Sequence, residues 1–595
     1  MNFFKQTLAS LIGTLTGLFL FVTLGASGLV IMLMAFTSVD RSPTVKDKSI
    51  LVFDLSIQIQ DTEPPITLRD ILSDEDKSII SLRNVIQNIE KASQDDRIVG
   101  IFIDGSEGSG VNGYATLTEI REALTKFKKT GKKIIAYDES FSEPEYYLNS
   151  VADTLILNPM GSIEMNGLGT QPLFWTKALE KYGIGVQVVR VGNYKSAVEP
   201  FIRENLSTEN REQLQVLFDN IWGNFLTTVG KSRQLSPQNL QEIADNKGFL
   251  NAQEAQKMKL IDEVAYRDQV LTKLKNLTDS KEDSFSQISL ANYSDVSVLA
   301  VPKKSSNNKI AVVYLDGTIV DGQGTREEVG ASRFTRLLRR IRQDEKVKAV
   351  VIRINSPGGS ATASDIILRE IQLIRDQKPV IISMGNVAAS GGYWIATGGQ
   401  HIFAESNTIT GSIGVFGMLF NIQEIANNNG ITWDSVKTAK LADLGTATRP
   451  KTAQELAIYQ TYVNQIYDLF LSKVSQSRHL PKAKVAAIAQ GRVWSGEDAK
   501  NIGLVDTIGG LNEAIKYTSA QTNLGNNWEL QQYPTPQGLT QLLFRKSLDD
   551  EVNNSVTIDP LTQEFIKIKT QLSELTTFND PKGIYSRLPF NFTFK

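Results

Sequence analysis

"DEKVKAVVIRINSPGGSATASDIILREIQLIRD", residues 344–376, decides the fold. The opening "DEKVKAVVIRI" (344–354) carries a short β-branched apolar run, the composition of a buried strand. The closing "ASDIILREIQLIRD" (363–376) repeats apolar residues at three- and four-residue spacing, as an amphipathic helix does. Between them "INSPGGSATAS" (354–364) leaves room for only a tight turn, stiffened by Pro357 and opened by Gly358 and Gly359. A strand that passes through such a turn into a helix predicts crossover connections, parallel strands and an α/β fold.

The same order continues on both sides. "KIAVVYLDGTI" (309–319) precedes the stretch and "DQKPVIISMG" (376–385) follows it. Beyond lie "YWIATGGQHIFAESNTITGSIGVFG" (393–417) and "GRVWSGEDAKNIGLVDTI" (491–508). The first half matches these blocks in order. It reads "SILVFDLSIQI" (49–59), "DDRIVGIFID" (95–104), "GKKIIAYDES" (131–140), "YYLNSVADTLILNPMGSIEMNGLG" (146–169) and "GFLNAQEAQKMKLIDEV" (248–264). Register holds at an offset of about 244 to 260 residues over five blocks, which indicates a tandem duplication. A period this long means two domains and not a solenoid. The expected organisation is a first repeat at 46–275, a polar linker at 276–307, a second repeat at 308–535 and a tail at 536–595 without a counterpart.

Composition narrows the chemistry. A 595-residue chain with 41% apolar and 22% charged residues is ordinary for a globular protein of more than one domain. A net charge of -2 gives no basic excess to drive nucleic-acid binding. The absence of cysteine removes disulfides, thiolate metal sites and a cysteine nucleophile together. From Ala9 to Phe36 no charged side chain appears, long enough to span a bilayer and too long for an ordinary cleaved signal sequence. Residues 1–45 are therefore expected to form an N-terminal transmembrane anchor. Lys5 precedes this span while Arg41, Lys46 and Lys48 follow it, a cation count that by itself would hold the body in the cytoplasm.

Within the second repeat, "MGNVAASGGYWIATGG" (384–399) sets Ser390 between a strand and a helix, a place suited to a nucleophile. Gly391 and Gly392 allow a carbonyl to approach the backbone closely. The turn at Gly358 and Gly359 suits an oxyanion hole, where one donor is worth roughly 3–4 kcal/mol. The proton acceptor is less obvious. The chain has two histidines, His401 and His479, and both read as packed or surface residues. A neutral lysine is an alternative base, at a cost of about 4–5 kcal/mol to bring its pKa near 7. Lys195, in "VVRVGNYKSAVEPF" (188–201), has apolar neighbours, although on spacing alone a surface lysine at a strand end is the commoner case.

Taken together, "YKSAVEPF" (194–201), "NSPGGS" (355–360), "AASGGYW" (388–394) and "TGSIG" (410–414) resemble the long, duplicated form of the signal peptide peptidase A (protease IV) family. The resemblance covers residues 46–535 and includes the anchor. It implies two tandem Clp protease/crotonase-like domains behind an N-terminal transmembrane helix. It implies a serine endopeptidase that degrades cleaved signal peptides and other unfolded apolar segments, without metal or organic cofactor. Ser390 would be the nucleophile, Lys195 the general base and Ser412 the residue orienting that lysine. Gly358, Gly359 and Gly391 would form the oxyanion hole. The family's long form is a homotetramer whose body lies on the extracytoplasmic face of the membrane.

The first repeat has "GSGVNG" (108–113) in place of the proline–glycine turn, and Glu143 near the position of Ser390. One active site assembled from both repeats is the expected result. Three alternatives stay open on the sequence. Lys440, in "SVKTAKLADLG" (435–445), would place the dyad within the second repeat, although Asp443 nearby would favour a charged lysine. A crotonase-type acyl-CoA enzyme would use the same fold and turn. A catalytically silent membrane scaffold would need neither Ser390 nor Lys195. Substrates are expected to be extended and apolar, held along "GSIGVFGMLF" (411–420).

Overall fold

The structure, a computed structural model, describes residues 7, 13–21, 23–24, 44–62, 79–108, 110, 113–281, 284–296, 306–525, 527–535 and 584–588. The first repeat is built on one sheet. Its order across the sheet is Gln287–Ser289, Ser49–Asp54, Ile98–Asp104, Lys133–Phe141, Thr154–Met165 and Gly248–Asn251. The first five strands are parallel. The second repeat places Glu529–Tyr533, Lys309–Asp316, Val347–Ser356, Val380–Ala389 and Ile409–Gly411 in the same succession, ending on antiparallel Val493–Ser495. Strand Val347–Ser356 and helix Ala361–Arg375 flank the glycine turn, as the alternation of apolar patterns in 344–376 predicts.

Equivalent contacts recur in the two repeats. Tyr146 Oη donates to the Leu260 carbonyl at 2.7 Å, and Tyr393 Oη to Leu504 at 2.8 Å. Helices Thr208–Arg233 and Ala453–Arg478 both end on a left-handed residue, Gln234 and His479. The last arginine of each pairs with an aspartate, Arg233 with Asp262 and Arg478 with Asp506. The segment expected as a linker also obeys this symmetry. Gln287–Ser289 extends the first sheet as Glu529–Tyr533 extends the second, and Ile288, Leu290 and Tyr293 are buried. Three apolar residues in a polar stretch are too few to register as a strand in composition.

A buried cation crosses between the repeats. Arg353, fully inaccessible, pairs with Asp61 at 3.0 Å and Glu119 at 2.7 Å, both from the first repeat. Asn386 adds two hydrogen bonds to Thr116. A third sheet joins the halves more directly. Gly185–Val191 of the first repeat runs antiparallel along the whole of Val415–Asn421 of the second. The same sheet includes Gly358–Ser360 and, between that segment and Val415–Asn421, the tail strand Ile584–Arg587.

Most of the expected anchor lies outside the described residues. Residues 13–21, 23 and 24 are helical, and among the described residues no helix is long and apolar enough to cross a membrane. Positions 109, 111 and 112 of "GSGVNG" likewise lie outside the described residues.

Candidate active site

Ser390 follows strand Val380–Ala389 and precedes helix Gly391–Ala396. Its backbone has φ 55° and ψ -113°, a conformation that costs a residue with a Cβ about 1–3 kcal/mol. Three contacts hold this elbow. Ser390 N donates to the Gly411 carbonyl at 2.8 Å, Trp394 N donates to the Ser390 carbonyl at 2.8 Å, and the Trp394 ring packs on Phe470 at 4.5 Å. The side chain of Ser390 is completely buried.

Lys195 reaches it from the other repeat. The strand Gly185–Val191 is aligned by its pairing to Val415–Asn421, and the chain then turns through Gly192. Tyr194 N donates to the Gln490 carbonyl at 3.0 Å, which fixes the turn against the second repeat. Gln213 ties the loop further, donating to the Tyr194 carbonyl and to Ser196 Oγ while accepting from Val493 N. Two glycines make room for the lysine stem. A methyl group on Gly491 would lie 2.6 Å from Lys195 Cβ, and one on Gly414 would lie 3.1 Å from Lys195 Cδ.

Lys195 Nζ lies 2.7 Å from Ser390 Oγ, 2.9 Å from Ser412 Oγ and 3.1 Å from the Ser412 carbonyl. The lysine is fully buried, and that burial pushes its pKa well below the ordinary lysine value. A neutral amine can accept the Ser390 proton while donating to Ser412. The arrangement has the geometry that general-base chemistry requires, and burial shifts the amine toward its neutral form.

The glycine turn lies across the same cleft. Gly358 has φ 99°, and a methyl group there would collide with the Ser586 carbonyl and lie 2.8 Å from Gly391 N. A methyl on Gly359 would collide with the Ile319 carbonyl. The Gly358 N–H donates to Ser356 Oγ at 3.2 Å. All six sequence-predicted residues, Ser390, Lys195, Ser412, Gly358, Gly359 and Gly391, therefore surround one cleft.

The other candidates lie elsewhere. His401 stacks on Tyr517 at 4.5 Å, its Nε2 is 2.8 Å from Thr507 Oγ1, and burial lowers its pKa. His479 is the exposed cap of a long helix. Lys440 is exposed, and Asp443 pairs with Lys437 and Arg449 instead of with it. Sequence reasoning missed Gly414, Gly491 and Gln213, which seat the lysine loop. The repeat of the "GRVWSGEDAK" block marked the region of Gly491 without marking its role.

This cleft can be compared with known proteins. The profile of peptidase family S49 matches residues 126–281 and 372–525, one stretch in each repeat. The chain belongs to peptidase family S49. The Clp protease profile matches residues 303–409 of this S49 chain. Protease 4 of Haemophilus influenzae is 37% identical over 525 residues, covering 85% of this chain and 84% of that one. Protease 4 of Salmonella typhi is 34% identical over 523 residues, with 85% and 83% covered. The chloroplastic serine protease SPPA of Arabidopsis thaliana is 35% identical over 472 residues, with 78% and 69% covered. The S49 chain is thus a serine protease, and the acyl-CoA and silent-scaffold readings fall away.

Proposed function

We propose that this S49 protease is a membrane-anchored endopeptidase whose Ser390–Lys195 dyad degrades cleaved signal peptides and other unfolded apolar segments. Neutral Lys195 takes the Ser390 proton as Oγ attacks the scissile carbonyl. The backbone around Gly358, Gly359 and Gly391 receives the developing oxyanion, and Ser412 holds the amine in line. The ammonium so formed protonates the leaving amine, and water then hydrolyses the ester on Ser390. Every proton in this cycle has a donor and an acceptor among these residues, the substrate and water.

The observation that carries the reading is the 2.7 Å approach of a fully buried lysine amine to a fully buried serine hydroxyl. The apolar strand Val415–Asn421 supports the substrate class, since an extended chain pairing there would lay side chains against Phe416 and Met418. Residues 1–45 would anchor the enzyme, with the body on the extracytoplasmic face as part of a homotetramer. Turnover of a fluorogenic apolar peptide by the purified full-length chain tests the activity. Wild type is expected to cleave it, with Ser390→Ala and Lys195→Ala at background. Equal rates in all three would remove the dyad.

A further inference from the structure

Strand Val347–Ser356 leads into the glycine turn and strand Val380–Ala389 into the Ser390 elbow, so their mutual register sets the site. They pair in step from Val350 with Val380 to Ile354 with Met384, and then Ser356 pairs with Ala388. Asn355 therefore faces a bulge of Gly385, Asn386 and Val387. Gly358 and Ser390 each lie two residues beyond the pair at which register recovers. The two turns then touch: a methyl group on Gly358 would lie 2.8 Å from Gly391 N and 3.1 Å from the Ala389 carbonyl.

Each residue of the bulge is tied down. The Gly385 carbonyl accepts from Thr408 Oγ1 at 2.8 Å, and Asn386 Oδ1 accepts from Thr116 N at 3.0 Å. Neither tie reaches the strand of the glycine turn. Val387 N does, donating to Asn355 Oδ1 at 3.2 Å. A backbone N–H only donates, so the amide must turn its oxygen to Val387 and its nitrogen the other way. There Asn355 Nδ2 donates to Asp316 Oδ1 at 3.1 Å. Asp316 stands opposite Asn355 in the neighbouring strand, and Gly317 N donates to the Asn355 carbonyl at 3.0 Å. Asp316, Asn355, Asn386 and Val387 line a cavity of about 340 Å³, so hydrogen bonds and not packing hold this side of the bulge.

The first repeat keeps the register without the clamp. Asp54 stands opposite Asp104 there, as Asp316 stands opposite Asn355. An ionised carboxylate has no donor to offer its neighbour. Both oxygens of Asp104 instead accept from Arg267, at 2.8 and 2.7 Å.

We propose that Asn355 is a positioning residue for proteolysis: its amide holds the Ser390 elbow at working distance from the oxyanion turn, and Asp316 fixes the orientation of that amide. The inference rests on the dyad and oxyanion turn proposed above. A displacement of about 1 Å between reacting groups costs roughly 10²-fold in rate. The apolar strand Val415–Asn421 belongs to another sheet, so substrate binding is expected to survive loss of the clamp.

Steady-state turnover of the fluorogenic peptide by the full-length chain tests this. Asn355→Leu, similar in size and unable to hydrogen-bond, is expected to lose roughly 10²-fold in kcat with KM within about 3-fold of wild type. Asn355→Asp, which sets two carboxylates against each other, should lose as much. Asn355→Asp combined with Asp316→Asn exchanges the partners: position 316 donates, and position 355 still accepts from Val387 N. The exchange should bring kcat back to within about 5-fold of wild type, a recovery that general damage to the fold would not show. Because Asp matches Asn in shape, this pair reads the clamp even where Asn355→Leu does not fold. Wild-type kcat in Asn355→Leu, a loss confined to KM, or an exchange no faster than Asn355→Asp alone would overturn the proposal. Ser390→Ala and Lys195→Ala in the same assay separate the causes. Full turnover in either removes the dyad, whereas a wild-type rate in Asn355→Leu beside two inactive dyad variants removes the clamp alone.

Discussion

The strand-to-helix elbow occurs twice in this molecule, and the two copies differ in their chemistry. In the second repeat Ser390 occupies a positive-φ conformation and its hydroxyl meets a lysine amine. In the first repeat Ser142 has φ -72°, the relaxed geometry of a helix cap. Its N–H and Oγ donate to Glu145 Oε2 at 2.7 and 2.6 Å. The next residue, Glu143, accepts from Asn166 N and Gly167 N, both at 2.6 Å. Those two amides directly follow strand Thr154–Met165, the counterpart of Ile409–Gly411 in the second repeat. At this elbow a carboxylate accepts from two backbone amides, whereas the other copy brings serine and lysine together. Duplication kept the scaffold twice but the strained elbow once, and freed the first copy to lend its lysine.

The largest effect should come from the strained elbow. Ser390→Ala is expected to lower peptide turnover roughly 10⁴- to 10⁶-fold, as loss of a serine nucleophile does elsewhere. An unchanged rate would equate the two elbows. Next, Gly358→Ala should cost about 10²- to 10³-fold through the closed cleft and lost oxyanion contact. A near-normal rate would show that the turn is not part of the site.

Coupling between the repeats can be read by unfolding. Removing Arg353 leaves Asp61 and Glu119 buried without their cation, so Arg353→Ala should destabilise the chain by about 3–5 kcal/mol. Urea titration followed separately in each repeat checks it, and a shift confined to one repeat would weaken the coupling. Lys195 makes a subtler prediction. Its pKa is lower in the folded chain than the ordinary 10.5, so the unfolded chain holds the proton more tightly. Wild-type stability therefore falls as pH drops below 10.5, by about 1.4 kcal/mol per unit until the folded pKa is reached. Lys195→Met should then be more stable than wild type near pH 7, with the gain shrinking toward about pH 10. A constant difference across that range would mean an ordinary lysine. The smallest expected effect is none: Glu143→Ser, placed in the Ser390→Ala chain, should restore no turnover, because the lysine is seated at the other elbow.

Much of this was legible in the sequence, for reasons that also explain the rest. The duplication, the α/β order and the positions of both elbows follow from periodicity and from blocks held in register. Residues around Ser390 and Gly358 were visible because two glycine turns on adjacent strand ends suit a nucleophile and an oxyanion hole together, where either turn alone is a weak signal. Lys195 was not visible by pattern alone, since an apolar neighbourhood in sequence does not state burial in space. It was found through the resemblance, and its seat depends on Gly414 and Gly491, which are far from it along the chain. The tail strand left no trace at all. Four residues, "IYSR" (584–587), carry no period, and their partners are supplied by two separate segments of the second repeat.

The central claim is that one active site draws its serine from the second repeat and its base from the first. The pH profile of peptide turnover in wild type, Lys195→Ala and Lys440→Ala tests it most directly. Wild type and Lys440→Ala should rise together from acid to mildly alkaline pH as the buried lysine loses its proton, while Lys195→Ala stays at background throughout. A Lys440→Ala chain without activity, beside a Lys195→Ala chain that keeps the full profile, would contradict the account and move the whole site into the second repeat.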